Sequence, residues 1–191
     1  MDNKEEKTVK IKTLVDLLPE DTRPIAGELG VLVMMFSALE FQTSLLLGQM
    51  LRLGLGDEAH AVLGHIALKE RLQILRKYGF AVKHSEDWYV RLQKCLNHIE
   101  NTLSPERNRM VHDLWGRNET GEMLRIKTTP TIKQPNTKAE RHLKGESLPI
   151  TAEGISKWTW EVLATTAEVI HISDEMRLYR EKQGASPNKS G

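Results

Sequence analysis

Apolar residues recur at three or four positions, or at the sum of such steps, from Ile25 through Leu29, Leu32, Phe36, Leu39 and Leu46 to Met50. That is the period of one helix face, and Pro24 suits a first helical position, so the pattern predicts a long helix from Pro24 to about Leu53. Val31, Val33, Met34 and Met35 make its middle apolar on the other side as well, which predicts a central helix surrounded by others. Gly54 and Gly56 break the pattern. Asp57 is then a ready N-cap for a second helix, bent near Gly64, whose stripe of Val62, Ile66, Leu72 and Leu75 ends at Gly79. Ser85 caps a third, with Glu86 and Asp87 in its first turn and Trp88, Leu92, Leu96, Ile99 and Leu103 along one face. Ser104 and Pro105 interrupt that helix. As N-cap and first position they also restart the chain as a short helix carrying Arg107 to Trp115.

After Gly116 the period changes. Asn118 to Gly121 reads as a turn, and Leu124, Ile126 and Thr128 alternate with Arg125 and Lys127, which predicts a β-hairpin flanking Trp115. From Pro130 through Pro135, Asn136 and Gly145 to Pro149 the chain is polar, turn-rich and somewhat basic, as a long loop would be. Thr151 caps a last helix with Ile155, Trp158, Val162, Val169, Ile172, Met176 and Tyr179 on one stripe. The expected organisation is a flexible N-terminus over 1–20, one helical domain over 21–183 with the hairpin and basic loop inserted at 116–149, and a disordered tail over 184–191. The expected fold class is all-α: an antiparallel four- to five-helix bundle.

Lys and Arg number 27 against 26 Asp and Glu, a formal net charge of +1, so no overall basic field announces nucleic acid. Any such site must come from local clustering. The single cysteine, Cys95, forms no internal disulfide, and the polar start lacks the apolar core of a secretory signal, so a cytoplasmic protein is expected. Leu29 to Leu47 is the one stretch that suggests a membrane. Ser37, Glu40, Gln42, Thr43 and Ser44 crowd its second half, and a carboxylate at a bilayer centre costs roughly 3 kcal/mol, so it reads as a buried helix with no membrane role.

The stretch Ser104-Pro-Glu-Arg-Asn-Arg-Met-Val-His-Asp-Leu-Trp115 carries the chemistry. An arginine neutralises a phosphate through paired N–H donors, and a histidine moves protons near neutral pH. Arg107 and His112 therefore supply most of what phosphodiester transesterification needs without a metal. The bare pair is weak evidence, since 12 Arg and 7 His give an Arg five residues before a His roughly 0.4 times by composition alone. Requiring Asn directly after the Arg lowers that to roughly 0.02. The bland alternative is a solvated helix on which Arg107 pairs with Glu106 or Asp113 and His112 is half-buried.

Glu106-Arg-Asn-Arg-Met-Val-His-Asp-Leu-Trp115 resembles the signature of the HEPN domain superfamily, an Arg followed after four to six residues by His, often with Asn beside the Arg. Phe36-Ser37-Ala38-Leu39-Glu40 within a long apolar helix is similar to the helix that many such proteins place before the motif. The resemblance covers roughly Ile25 to Trp115 plus the final helix. It implies a helical bundle, a metal-independent endoribonuclease site formed across a homodimer from Arg107, Asn108 and His112, and no cofactor. It also implies a toxin or antiviral defence effector, with an antitoxin or regulatory protein as a partner. A non-catalytic helical module binding RNA, a nucleotide or a partner protein is the alternative.

At about 100° per residue, Asn108 and His112 share a helix face, whereas Arg107 and His112 diverge by about 140°. One regular helix does not aim both at one phosphate, and a twofold dimer with its motif helices facing each other does. Glu40, the only charged side chain between Glu28 and Arg52, is the fourth candidate, orienting the site as a partner of Arg107 or His112, or else facing solvent. Arg109, Arg125 and Lys127 are candidate RNA-binding cations, with a solvated charge as the ordinary reading of each. Lys69, Arg71, Arg76 and Lys77 read as a solvated face. No metal site is expected, because His60 and His65 lack the spacing of a zinc-binding helix.

Overall fold

The computed structural model describes residues 18–53, 63–133 and 140–184. A short 3-10 turn over Glu20–Thr22 leads into α1, Arg23–Met50, with Pro24 in its first turn. The helix ends with Arg52 in the left-handed region at φ 58°, its N–H on Gln49 and the Leu53 N–H on Gly48, a Schellman closure without the usual glycine. Leu63 and Gly64 are helical, the chain leaves that helix over 65–67, and α2 runs from Leu68 to Val82. The predicted cap at Asp57 lies outside the described residues.

Ser85 caps α3, Glu86–His98, through its side-chain oxygen, which accepts the Trp88 N–H at 3.2 Å. A π-helical turn, Ile99–Leu103, joins α3 to α4, Ser104–His112. Three strands follow, β1 (Leu114–Arg117), β2 (Met123–Lys133) and β3 (Glu140–Pro149), and then α5, Ala152–Gly184, where the Thr151 hydroxyl accepts the Gly154 N–H.

The core is the predicted stripes turned toward one another. Leu32, Phe36, Leu39, Leu46, Leu47 and Met50 of α1 are buried, as are Leu72 and Leu75 of α2, Trp88, Leu92 and Leu96 of α3, and Val162, Val169, Ile172 and Met176 of α5. α1 and α5 run parallel rather than antiparallel. Ser173 donates to Gln49 near their C-terminal ends, and Leu32 shares a small cavity with Trp158 and Val162 towards their starts. α3 descends across both, with the Trp88 indole N–H on the Ile172 carbonyl and Arg91 between Glu168 and Glu175. Away from that packing, α1 and α5 still carry exposed apolar side chains among the described residues. Val31, Met34 and Phe41 on α1 and Trp160, Leu163 and Ile170 on α5 are all exposed, Met34 at 59% and Trp160 at 67%. The segment Glu20–Met50 is also long enough to cross a membrane and holds an 18-residue stretch apolar enough to do so, with a mean hydropathy of 1.6.

The sheet departs from expectation. The departure lies beyond the predicted hairpin, which does form, β1 pairing with β2 from Leu114 opposite Ile126 to Arg117 opposite Met123. In place of the long loop, β2 runs on and pairs with β3 from Leu124 opposite Pro149 to Lys133 opposite Glu140, giving the antiparallel order β1-β2-β3. Thr128, Thr129, Thr131 and Ile132 are β-branched and suit a pleated ladder. Pro130 lies beyond the end of β1, where β2 has a partner on one side only, and that is where a strand tolerates proline.

Candidate functional site

The motif helix does not begin at Ser104. Ser104 has helical dihedrals, its side chain caps nothing, and its N–H donates to the Ile99 carbonyl five residues back. Proline has no N–H and its ring presses on the carbonyl four residues earlier, so a regular helix would break near Pro105. The wider π turn relieves that crowding and carries the rod from Glu86 through to His112. The serine and proline that read as a stop and restart therefore mark a bulge within one continuous rod.

Around the motif, charges sort unevenly. Glu106 receives Arg125 at 2.5 Å and Arg109 at 3.8 Å, and Asp113 receives Arg125 at 3.6 Å. Arg125 is only 5% exposed, and Trp115 beside it in the sheet donates its indole N–H to the Met110 carbonyl. Arg125 thus clamps the sheet to the end of α4 and offers no free charge to RNA. Arg107 is left without a carboxylate among the described residues. Its guanidinium lies 5.6 Å over the Phe36 ring and donates to the Asn108 side-chain oxygen at 3.0 Å. Pairing of Arg107 with Glu106 or Asp113, the bland reading, is not what forms. His112, the last residue of α4, is exposed and makes no hydrogen bond or ion pair among the described residues. It lies one turn beyond Asn108 on the same face.

Beside Arg107 and Asn108 opens a cleft between α1, the first turn of α2 and the π turn, about 570 Å³ in volume. Glu40 lines it, but its carboxylate bonds to neither Arg107 nor His112, so the expected pairing is absent, and His112 does not reach the cleft. The Glu40 carbonyl is more engaged, accepting from Arg71 at 2.7 Å and from the Thr43 and Ser44 hydroxyls. Arg71 is buried, not on a solvated face. It also donates to the Leu63 and Ile66 carbonyls, pinning the 63–66 link to α1, and burial lowers its pKa while the nearby Glu40 charge raises it. Its position beside Leu72 and one turn before Leu75, on the apolar stripe itself, was the available signal. Lys69, read together with it, does stay exposed and lines the cleft.

The remaining candidates do not add a second site. Arg109 is exposed near the motif, and the Lys127 side chain lies outside the described residues, as does His60. His84 stacks on Tyr179 with ring centroids 5.0 Å apart, a packing role. Among the described residues no group of His, Cys, Asp or Glu is arranged to hold a metal ion. Cys95 is buried, and burial pushes its thiol up to about 11, away from nucleophilic use. No family model, curated protein or solved structure matches the chain, so the site stands on its own geometry.

Proposed function

We propose that this chain is a metal-independent endoribonuclease that works as a homodimer, with the motif helices α4 of two copies facing each other. The observation that carries the reading is the freedom of the motif. Arg125 takes the neighbouring carboxylates, so Arg107 keeps its charge for a phosphate, and His112 stands exposed one turn beyond Asn108. In the reaction the RNA 2'-hydroxyl attacks the adjacent phosphorus, giving a 2',3'-cyclic phosphate and a 5'-hydroxyl end. His112 acts as base toward the 2'-hydroxyl or as acid toward the leaving oxygen, with the partner's copy taking the other role. Arg107 stabilises the charge gathering on the phosphorane oxygens, and Asn108 holds that guanidinium in place.

Dimerisation supplies what one rod lacks, since Arg107 and His112 still point about 140° apart around α4. Val111 and Leu114, exposed beside His112, give the facing helices apolar contact. Such an enzyme fits a toxin or defence effector held in check by a regulatory protein in the cytoplasm. The test is cleavage of single-stranded RNA in excess EDTA, with the ends identified by whether they resist or accept phosphorylation. Arg107→Ala and His112→Ala, while folded, are expected to lose about 100-fold or more in rate. Undiminished cleavage by either variant sinks the assignment, and DNA, lacking the 2'-hydroxyl, should remain intact.

A further inference from the structure

The cleft of about 570 Å³ falls inside the range of roughly 300–1,000 Å³ usual for small-molecule sites. Its floor is apolar, made by the buried Phe36 and Leu72. Its walls carry two carboxylates and one ammonium, Glu40, Glu100 and Lys69, with Arg107 at the mouth. Glu100 is committed to Arg76 at 2.5 Å. The Glu40 carboxylate, half-buried on an otherwise apolar stretch of helix, has no hydrogen bond or ion pair among the described residues. Arg71 lies near enough for the two charges to interact but gives its N–H groups to backbone carbonyls, so the wall presents two partly buried carboxylate oxygens that hold no donor. The Ser104 hydroxyl and the Arg107 Nε, from α4, are also buried without partners among the described residues that line the cleft.

From this geometry we infer that the cleft is a nucleobase subsite that selects guanine, next to the phosphate held by Arg107. The inference rests on the ribonuclease reading for the chain to which that base belongs. Guanine places its N1–H and N2–H side by side on one edge, matching the two oxygens of Glu40, and its O6 and N7 acceptors suit the Lys69 ammonium. Adenine sets an acceptor nitrogen against the carboxylate and an amino group where Lys69 needs an acceptor. Cytosine and uracil each offer the carboxylate a single donor group. The flat ring suits the apolar lining of Leu68 and Leu72, beside rather than over the Phe36 face that Arg107 covers, and the outer face of the planar guanidinium is suited to stacking.

Mononucleotides separate this inference from cleavage, because they contain no bond the enzyme would break. Calorimetric titration of the full chain with 5'-GMP, AMP, CMP and UMP should give GMP an affinity about tenfold or more above AMP, the span expected of one paired set of hydrogen bonds. Glu40→Gln should remove that preference, Lys69→Met should reduce it, and Arg107→Ala should weaken all four nucleotides alike. Lys69 is exposed, so its variant reports even if Glu40→Gln fails to fold. Equal affinities for the four, or no binding at millimolar concentration, overturn the subsite. If RNA is cut without such binding, the ribonuclease survives and the subsite falls. If GMP is selected and RNA is never cut, the subsite stands and the ribonuclease falls.

Discussion

Arg107 and Arg125 lie at the same end of the molecule and meet opposite fates, and the second explains the first. Arg125, 5% exposed, draws in Glu106 and Asp113, whose side chains are 16% and 15% exposed, and so strips Arg107 of carboxylate neighbours. Arg125→Gln leaves two poorly hydrated carboxylates facing a neutral amide. Breaking a buried pair from one side costs about 3–5 kcal/mol, and the residual hydration here brings the expectation to about 2–4 kcal/mol in urea or thermal denaturation. A loss under about 1 kcal/mol would mean that water screens the cluster. Sequence separated these arginines poorly. Arg125 alternates with Leu124 and Ile126 and so reads as outward-facing, and only the pairing of β2 with both neighbouring strands and the closeness of α4 turn it inward. Arg71 was misjudged for a similar reason. A charge that satisfies itself on backbone carbonyls leaves no partner residue in the sequence to betray it.

Elements with a strong period were legible, and those defined by a neighbour were not. α1, α3 and α5 fall close to the predicted bounds because their stripes and caps are local properties of Pro24, Ser85 and Thr151. The strand pair beyond Pro130 joins near neighbours, Pro130 opposite Leu143 and Lys133 opposite Glu140, but its basic, proline-bearing composition lacks the apolar alternation that announces a strand. Helix packing adds its own constraint at Gly79, where α2 and α3 meet. A Cβ placed there would stand 2.6 Å from the Leu92 side chain. Gly79→Ala gains about 1 kcal/mol of helix propensity but overpacks the crossing by about 1–3 kcal/mol, so a net loss of stability is expected. An increase in the denaturation midpoint would show that Leu92 repacks freely. The π turn matters in the same currency of angle. It is equivalent to one extra residue in the rod, and it rotates everything after it by about 100° relative to an uninterrupted helix. Arg107, over the Phe36 ring, lies four residues beyond the end of that turn.

On the scale of the molecule, exposed apolar side chains of α1 and α5 lie across their helices from the motif. By helical phase Met34 points away from Phe36, which meets Arg107, and Trp160 away from Trp158 and Val162, which meet α4. If two copies meet through their motif helices, that surface is not where they meet. Val31→Glu and Met34→Glu should therefore leave the dimer intact by sedimentation, whereas His112→Cys should cross-link two copies on oxidation. Dissociation by the α1 variants, with no cross-link at 112, would overturn the facing-helix arrangement and the two-subunit site with it. The motif face was readable from the spacing of Arg107 and His112, but the exposed side of α1 was not, since its middle looked apolar all round and only its packing shows which side is covered.

The parallel pairing of α1 with α5 reaches beyond the finished molecule. During synthesis α1 leaves the ribosome first, while the helix that covers much of its inner face begins only at Ala152, about 100 residues later. At roughly 5–20 residues per second, the most apolar helix of the chain waits roughly 5–20 seconds for its partner. Through that interval Leu32, Leu46 and Met50 have only transient cover. The growing chain is thus most exposed to aggregation, and most dependent on chaperones, just before α5 emerges.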